Sequence, residues 1–317
     1  MAEYLVTFLF IITLNFFLPR LMPGDPFTFL SAGTDEVTVA YSEEQIEKYK
    51  AYYGLDKPLI NQYVSYIGNM LQGNIGYSIY YNEDVVALVG KRALWTVSLV
   101  VVSLTVSCVL GLILGSLAAW NRNNAFDRYL YLVMICFSEI PAFLMGLLLL
   151  FAGAAWLGWF PLAGGTSTFA VFATPVQQAL DIVHHAVLPV ITLVLARLGE
   201  FFMIARSSML TVLSKDYMRT ARGKGLSKSR ILFVHALRNA AIPVITRMFL
   251  SLGTVFGGAV LVENVFNYPG VGQLMRESVM LRDYILMQGI FMFFAVSVLT
   301  MNFVADMLYK KLDPRIT

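Results

Sequence analysis

The sequence predicts an all-α polytopic membrane protein: six transmembrane helices, a structured domain between helices 1 and 2, and a basic loop between helices 4 and 5. Three observations carry that prediction. Hydrophobic residues make up 58% of the 317 and charged residues only 14%, against about 25% charged in a soluble globular chain. Six apolar segments read as crossings of a hydrocarbon core about 30 Å thick, which takes about 20 helical residues. Charge is gathered between them, above all in one hydrophilic island from Lys215 to Pro243.

The six segments are Tyr4–Leu18, Ala93–Trp120, Tyr129–Leu157, Val187–Ala205, Ala240–Glu263 and Tyr284–Met307. The first reaches only 15 residues before Pro19, with no basic leader and no small-residue cleavage site. It therefore reads as a retained anchor, not a cleaved signal peptide. Its shortness fits a helix of little tilt whose Arg20 snorkels, or a start lying downstream of the natural one.

Orientation comes from Lys and Arg in short loops. The loop after span two carries Arg122 and Arg128, the tail carries Lys310, Lys311 and Arg315, and the stretch 206–239 has eight basic residues against the single acid Asp216. The loop from Gly158 to His185 has no Lys or Arg. Both termini and the island are thus expected on the cytoplasmic side. The three divisions are residues 1–19 as the first helix, 20–92 as an extracytoplasmic helical domain, and 93–317 as a five-helix core containing the cytoplasmic loop 206–239.

The outer domain is expected to be structured. Ser42 with Gln45 forms a capping box for a helix from about Glu43 to Tyr53, which Gly54 would end. Pro58 then opens an amphipathic helix in which Ile60, Tyr63, Ile67, Met70 and Leu71 share a side, closed by Gly73. A cap on the outer mouth is the plain reading of this region.

Within the spans, Gly111, Gly115 and Ala119 form a small-residue ladder, as do Gly253 and Gly257, which marks a helix bundle. Cys108 and Cys136 read as small buried hydrophobes. Charges inside spans are costly at the bilayer centre, roughly 2.5–3.5 kcal/mol each, and seldom face lipid. Arg197 and Glu200 stand three apart on one face of span four, and Arg247 lies inside span five. They form either an ion pair fastening spans four and five, Glu200 with Arg197 or with Arg247, or a polar lining of a path at a subunit interface. Glu139 beside Pro141 marks a kink in span three. His184 and His185 precede Val187 with no carboxylate or Cys at ligand spacing, so no metal site is expected there.

The island reads as helix, glycine elbow, helix. Leu210, Leu213, Tyr217 and Ala221 recur at helical spacing, with Lys215, Arg219 and Arg222 on another face. Gly223 and Gly225 break the helix. Ser227 can cap a second one bearing Ile231, Leu232, Val234 and Leu237 up to a stop at Pro243. A nucleotide-binding loop is excluded, because Gly223-Lys224 has no glycine five positions earlier and no Ser or Thr after it. A solvated basic loop near lipid headgroups is the plainest alternative.

These residues resemble the permease subunits of binding-protein-dependent ABC importers. Their general loop pattern is Glu-Ala-Ala, three residues, Gly, nine residues, then Ile-x-Leu-Pro. Gly225 takes the glycine position and Ala221 the second alanine, while Arg219 and Thr220 replace the first two letters. His235, Leu237 and Arg238 stand at the isoleucine, leucine and proline positions. The run Asp216 to Ser227, with His-Ala-Leu-Arg-Asn at 235–239, is similar to the dipeptide, oligopeptide and nickel branch. So are Pro23-Gly24-Asp25-Pro26, Gly54-Leu55-Asp56-Lys57-Pro58, Gln62-Tyr63 and Gly73-Asn74-Ile75-Gly76-Tyr77-Ser78. Asn264, Phe266, Tyr268-Pro269-Gly270-Val271-Gly272, His185-x-x-Leu188-Pro189 and the Asp313-Pro314-Arg315 ending complete the likeness.

The resemblance implies a multi-pass subunit of a bacterial or archaeal cytoplasmic (inner) membrane that moves short peptides, or a related solute such as a nickel chelate, by alternating access. It implies a second permease, expected as a heterodimer, two cytoplasmic ABC ATPases, an extracytoplasmic solute-binding protein docking on the outer domain, and surrounding membrane lipid. ATP and Mg would sit on the ATPases; this chain would bind no cofactor and no nucleic acid. The loop would grip an ATPase through Asp216, Arg219, Thr220, Arg222, Lys224 and the elbow at Gly225. Tyr217, Ala221, Leu226 and Leu237 would pack that contact. The chain shows no nucleophile with a base and no paired-carboxylate site, so it is not read as an enzyme. Two other classes stay open: an ion-coupled secondary transporter, which would want intramembrane acids and repeated halves, and a membrane scaffold without a transport role.

Overall fold

The computed structural model describes residues 2–21, 47, 48, 50 and 54–312. Ten α-helices organise what is described: α1 (Ala2–Arg20), α2 (Leu59–Leu71), α3 (Val85–Trp120), α4 (Ala125–Glu139), α5 (Ala142–Leu149), α6 (Pro175–Leu213), α7 (Asp216–Gly223), α8 (Leu237–Val265), α9 (Val271–Met280) and α10 (Tyr284–Leu312). A π-helical turn, Leu150–Trp156, extends α5, and Lys228–Arg230 with a second π turn, Ile231–Ala236, leads into α8. Among the described residues there is no strand, only an isolated bridge between Tyr77 and Asp84.

Among the described residues, four helices are long and apolar enough to cross a membrane, and five if the pair α4 and α5 counts as one broken span. The sixth expected crossing is α1, whose apolar part, Val6–Arg20, is shorter. At 1.5 Å per residue the 19 residues of α1 as a whole reach about 29 Å. The break between α4 and α5 is a bend of 101°. Pro141 causes it: it has no N–H to continue the ladder and pushes the preceding residue out of helical space, and Ile140 takes φ −82°, ψ 120°. The kink expected at Glu139–Pro141 is therefore a corner.

The described residues fall into two compact units, Met1–Trp95 with Gly270–Leu299, and Thr96–Pro269 with Thr300–Thr317. In the first, α2 is fastened to α1. Thr13 and Tyr63 share a hydroxyl hydrogen bond of 2.8 Å, Asn15 Nδ2 donates to Tyr66 Oη at 3.1 Å, and Arg20 gives two bonds to Gln62 Oε1 at 3.1 and 3.0 Å. The fully buried Phe16 ring meets Tyr63 edge-on, centroids 5.1 Å apart. Asp283 caps α10 through the Leu286 N–H at 3.0 Å and also accepts from Ser78 Oγ at 2.6 Å. Tyr81 donates to Glu277 at 2.6 Å, and burial, with Glu277 beside it, pushes the Tyr81 phenol above its ordinary range. Val85, Leu88, Val271, Leu274, Leu286 and Ile290 form the apolar centre of this unit.

The capping box Ser42–Gln45, the motif Pro23-Gly24-Asp25-Pro26 and the ending Asp313-Pro314-Arg315 lie outside the described residues, as does most of the expected helix 43–53. Gly54 does take φ +67°, and Leu55 N–H donates to Lys50 O at 2.8 Å. The expected grouping in α2 is corrected. Tyr63 turns to α1 together with Tyr66, while Ile60 and Leu71 stay exposed.

In the second unit the ladder Gly111–Gly115–Ala119 brings α3 against α6. A Cβ on Gly111 would stand 2.5 Å from Phe201 Cβ, and one on Gly115 would stand 2.6 Å from Phe202 O. Gly199 is tighter still: its Cβ would fall 1.8 Å from Ser138 Oγ and 2.4 Å from Met134 O on α4. Gly257, by contrast, has open space within 4 Å of its would-be Cβ. Cys108 is buried as expected, but Cys136 is exposed.

Candidate functional site

The island's backbone follows from local chemistry. The helix α6 ends at Leu213, Ser214 closes it, and Lys215 is extended at φ −72°, ψ 150° before α7 begins at Asp216. The expected continuous helix through Leu210, Leu213, Tyr217 and Ala221 is therefore two helices with a corner between them. Gly223 is the last residue of α7, and the turn itself is made by Gly225 at φ +68°, a value glycine adopts without steric cost. Ser227 Oγ accepts the Arg230 N–H at 3.4 Å, so the expected cap starts the second helix. Pro243 does not stop it but lies inside α8, since an apolar helix can carry a proline where neighbours and adjusted turns meet the freed backbone group.

Two side chains hold α7 down. Met218, fully buried, and Ala221 pack with Ala119, Met209, Val212, Ile231, Leu232 and Ala236, with Leu226 partly buried beside them. Asp216, Tyr217, Arg219, Thr220, Arg222, Lys224 and Gly225 are all exposed, and Leu237 is half-buried. The division of labour thus differs from the sequence reading. Ala221 points inward, Tyr217 is 45% exposed, and the anchor is Met218, which that reading passed over. Arg219 lies 3.7 Å from Asp216 with both side chains almost wholly in the open, so the pair adds little stability.

The three intramembrane charges come together. Glu200 accepts from Arg197 Nη1 at 3.3 Å and from Arg247 Nε, so both alternative pairs exist at once and tie α6 to α8. Arg197 also lines a cavity of about 240 Å³ at the α4–α5 corner, with Ser138, Pro141, Leu193 and Gly258.

A second ionic joint was not foreseen. Asp127, 4% exposed, receives Arg206 Nε and Nη2 in a two-pronged contact of 2.7 Å each, and the guanidinium stands 5.2 Å from the Tyr131 ring centroid. The sequence counts Arg206 as one loop charge among eight; the only pointer was an isolated acid in an otherwise basic turn. His184 and His185 each bond a backbone carbonyl, of Trp159 and of Asp181, at 2.9 Å. Contrary to the sequence reading, a carboxylate does stand near: Asp181 Oδ1 is 3.7 Å from His185 Nδ1. It also accepts from Ser167 N–H and Oγ–H at 2.7 and 2.6 Å.

Residues 111–317 match the family model of the binding-protein-dependent transport system inner membrane component. The chain belongs to this family. Its members are ABC importer permeases, which sets aside the ion-coupled and scaffold alternatives. The permease is 37% identical to the di/tripeptide transport system permease protein DppB of Pseudomonas aeruginosa (strain UCBPP-PA14), across 98% of this chain and 95% of that one. It is 35% identical to the glutathione transport system permease protein GsiC of Escherichia coli (strain K12), with the same two coverages. Its fold is similar to a solved structure of the MetNI methionine ABC transporter in inward-facing conformations, with TM-score 0.56 and 16% identity, covering 72% of this chain and 97% of that one.

Proposed function

We propose that this permease moves short peptides across the inner membrane, with six spans, residues 20–92 outside, and both termini and loop 206–239 in the cytoplasm. The relatives named for di/tripeptides and glutathione support the substrate class; a nickel chelate is the competitor to test beside them. A second, similar permease would complete the pathway, two cytoplasmic ATPases would supply ATP and Mg chemistry, and an extracytoplasmic binding protein would deliver the solute.

The observation that carries this reading is α7: a short helix whose exposed side is Asp216, Tyr217, Arg219, Thr220, Arg222 and Lys224, and whose buried side is two residues set in a core shared with α3, α6 and the start of α8. Such a helix can be gripped without being detached. Closure of the ATPases would push α7, and the push would enter α6 at Leu213. About two turns back along α6 it meets the Asp127–Arg206 joint, and about two turns beyond that the Glu200 cluster. These joints make α6 a lever fastened to α4 and to α8, suited to shifting a bundle between two packed states.

The test is ATP-dependent uptake by the reconstituted assembly of labelled dipeptide, glutathione and a nickel–histidine complex. Uptake of peptide that is lost on reversing Arg219 and Arg222 to Glu, or on Gly225→Pro, is expected. Unchanged uptake and ATPase association in those variants would refute the coupling assignment. For the charge cluster, Glu200→Gln that lowers assembled protein while the remainder transports normally identifies a fastening role; slowed transport at normal abundance identifies a path lining.

A further inference from the structure

The helix α2 carries three distinct edges. Phe16 and Phe17 of α1 pack against Tyr63, and Phe16 also meets Tyr66. Ser65, Gly68, Asn69 and Gln72 line a cavity of about 600 Å³. The remaining edge is an apolar stripe at helical spacing, Ile60, Val64, Ile67 and Leu71, of which Ile60, Val64 and Leu71 are 76%, 64% and 78% exposed. No charged residue occurs between Leu59 and Leu71.

The bonds to α1 fix where this stripe lies along that helix. The Tyr63 hydroxyl reaches Thr13, about 10 Å along the axis from Arg20. Beside it α1 exposes its own apolar stripe, Val6, Phe10, Leu14 and Phe17, and Phe17 stacks on Tyr63 with centroids 6.2 Å apart. The two stripes are thereby joined through the Phe17–Tyr63 pair. A helix with one apolar edge and one polar edge is amphipathic, as an element lying in a membrane interface must be.

We propose that α2 is embedded in the outer leaflet, with Ile60, Val64 and Leu71 against phospholipid acyl chains and its polar edge toward the cavity. This rests on α1 crossing the membrane, as in the six-span reading. Part of the outer end of α1 is then covered by α2, not by lipid, and Arg20 finds its partners in Gln62 and in Phe16 O. The surface offered to a binding protein is correspondingly narrowed to the polar edge and the turns around it.

The experiment is photo-crosslinking of the full transporter, reconstituted in vesicles of phosphatidylethanolamine and phosphatidylglycerol, with and without the binding protein. The probe p-benzoylphenylalanine replaces Ile60, Val64 or Leu71 in turn, with Phe10 and Ser65 as references, and adducts are identified by mass spectrometry. Lipid adducts at all three stripe positions, comparable with Phe10 and several-fold above Ser65, are expected whether or not the binding protein is present. Adducts to the binding protein or to the second permease at those positions, or no adduct while Phe10 gives lipid, would overturn the proposal and leave the spanning of α1 intact. Absence of lipid adducts at Phe10 itself would overturn the span reading and the proposal together.

Discussion

Two short helices, α7 and α2, are built on the same plan and turn opposite chemistry outward. Each is held on one side by aromatic, thioether or small side chains against a longer helix, and each leaves most of its surface free. The free side of α7 is charged, with Arg219, Arg222 and Lys224 exposed; the free side of α2 includes Ile60, Val64 and Leu71 and no charge at all. Anchoring is therefore a matter of the buried edge alone, and the exposed edge is at liberty to suit its surroundings, which in our two proposals are a wet protein partner for α7 and acyl chains for α2.

The comparison breaks if the anchors are not what hold these helices. Phe16→Ala removes a fully buried ring that touches both Tyr63 and Tyr66 and the Arg20 guanidinium at 3.7 Å. It is expected to cost about 3–5 kcal/mol, read as a lowered midpoint in detergent denaturation, with α2 becoming protease-sensitive. Met218→Ala should cost about 2–5 kcal/mol by the same mechanism, and uptake should fall although every exposed α7 residue is unchanged. Tyr66→Phe deletes the acceptor of the Asn15 bond and is expected to shift stability by only about 0.5–1.5 kcal/mol. Arg219→Ala should change stability by less than about 0.5 kcal/mol, because its pair with Asp216 is exposed, while ATPase association measured by co-purification drops. A large stability loss in that last variant would show that α7's outer edge is structural and erase the contrast.

What could be read from the residues alone follows from how local each cause is. Gly225, Ser227 and Pro141 act on their own backbone: the first two produced the turn and the cap expected of them, and Pro141 turned the expected kink into a corner. The ladder Gly111–Gly115 is local too, and α6 lies against it. Met218 was missed because choosing the inner face of an eight-residue helix requires knowing where the flanking helices run. Asp127 and Arg206 are 79 residues apart, and Thr13 and Tyr63 are 50 apart; no periodicity within a helix encodes a partner at such a distance. Pro243 misled because a bundle can absorb a missing amide bond that an isolated helix could not.

Gly199 has an evolutionary corollary. Its would-be Cβ meets both the Ser138 hydroxyl and the Met134 backbone oxygen. Trimming Ser138 removes the first obstacle but not the second, since a carbonyl is present whatever residue occupies 134. No single partner change can open the site to alanine, so lineages of this permease can leave glycine at 199 only by shifting α4 and α6 apart, a step that would disturb the helix carrying both Glu200 and Arg206. A position silent in every chemical sense thus restricts the routes by which the charged ones can drift.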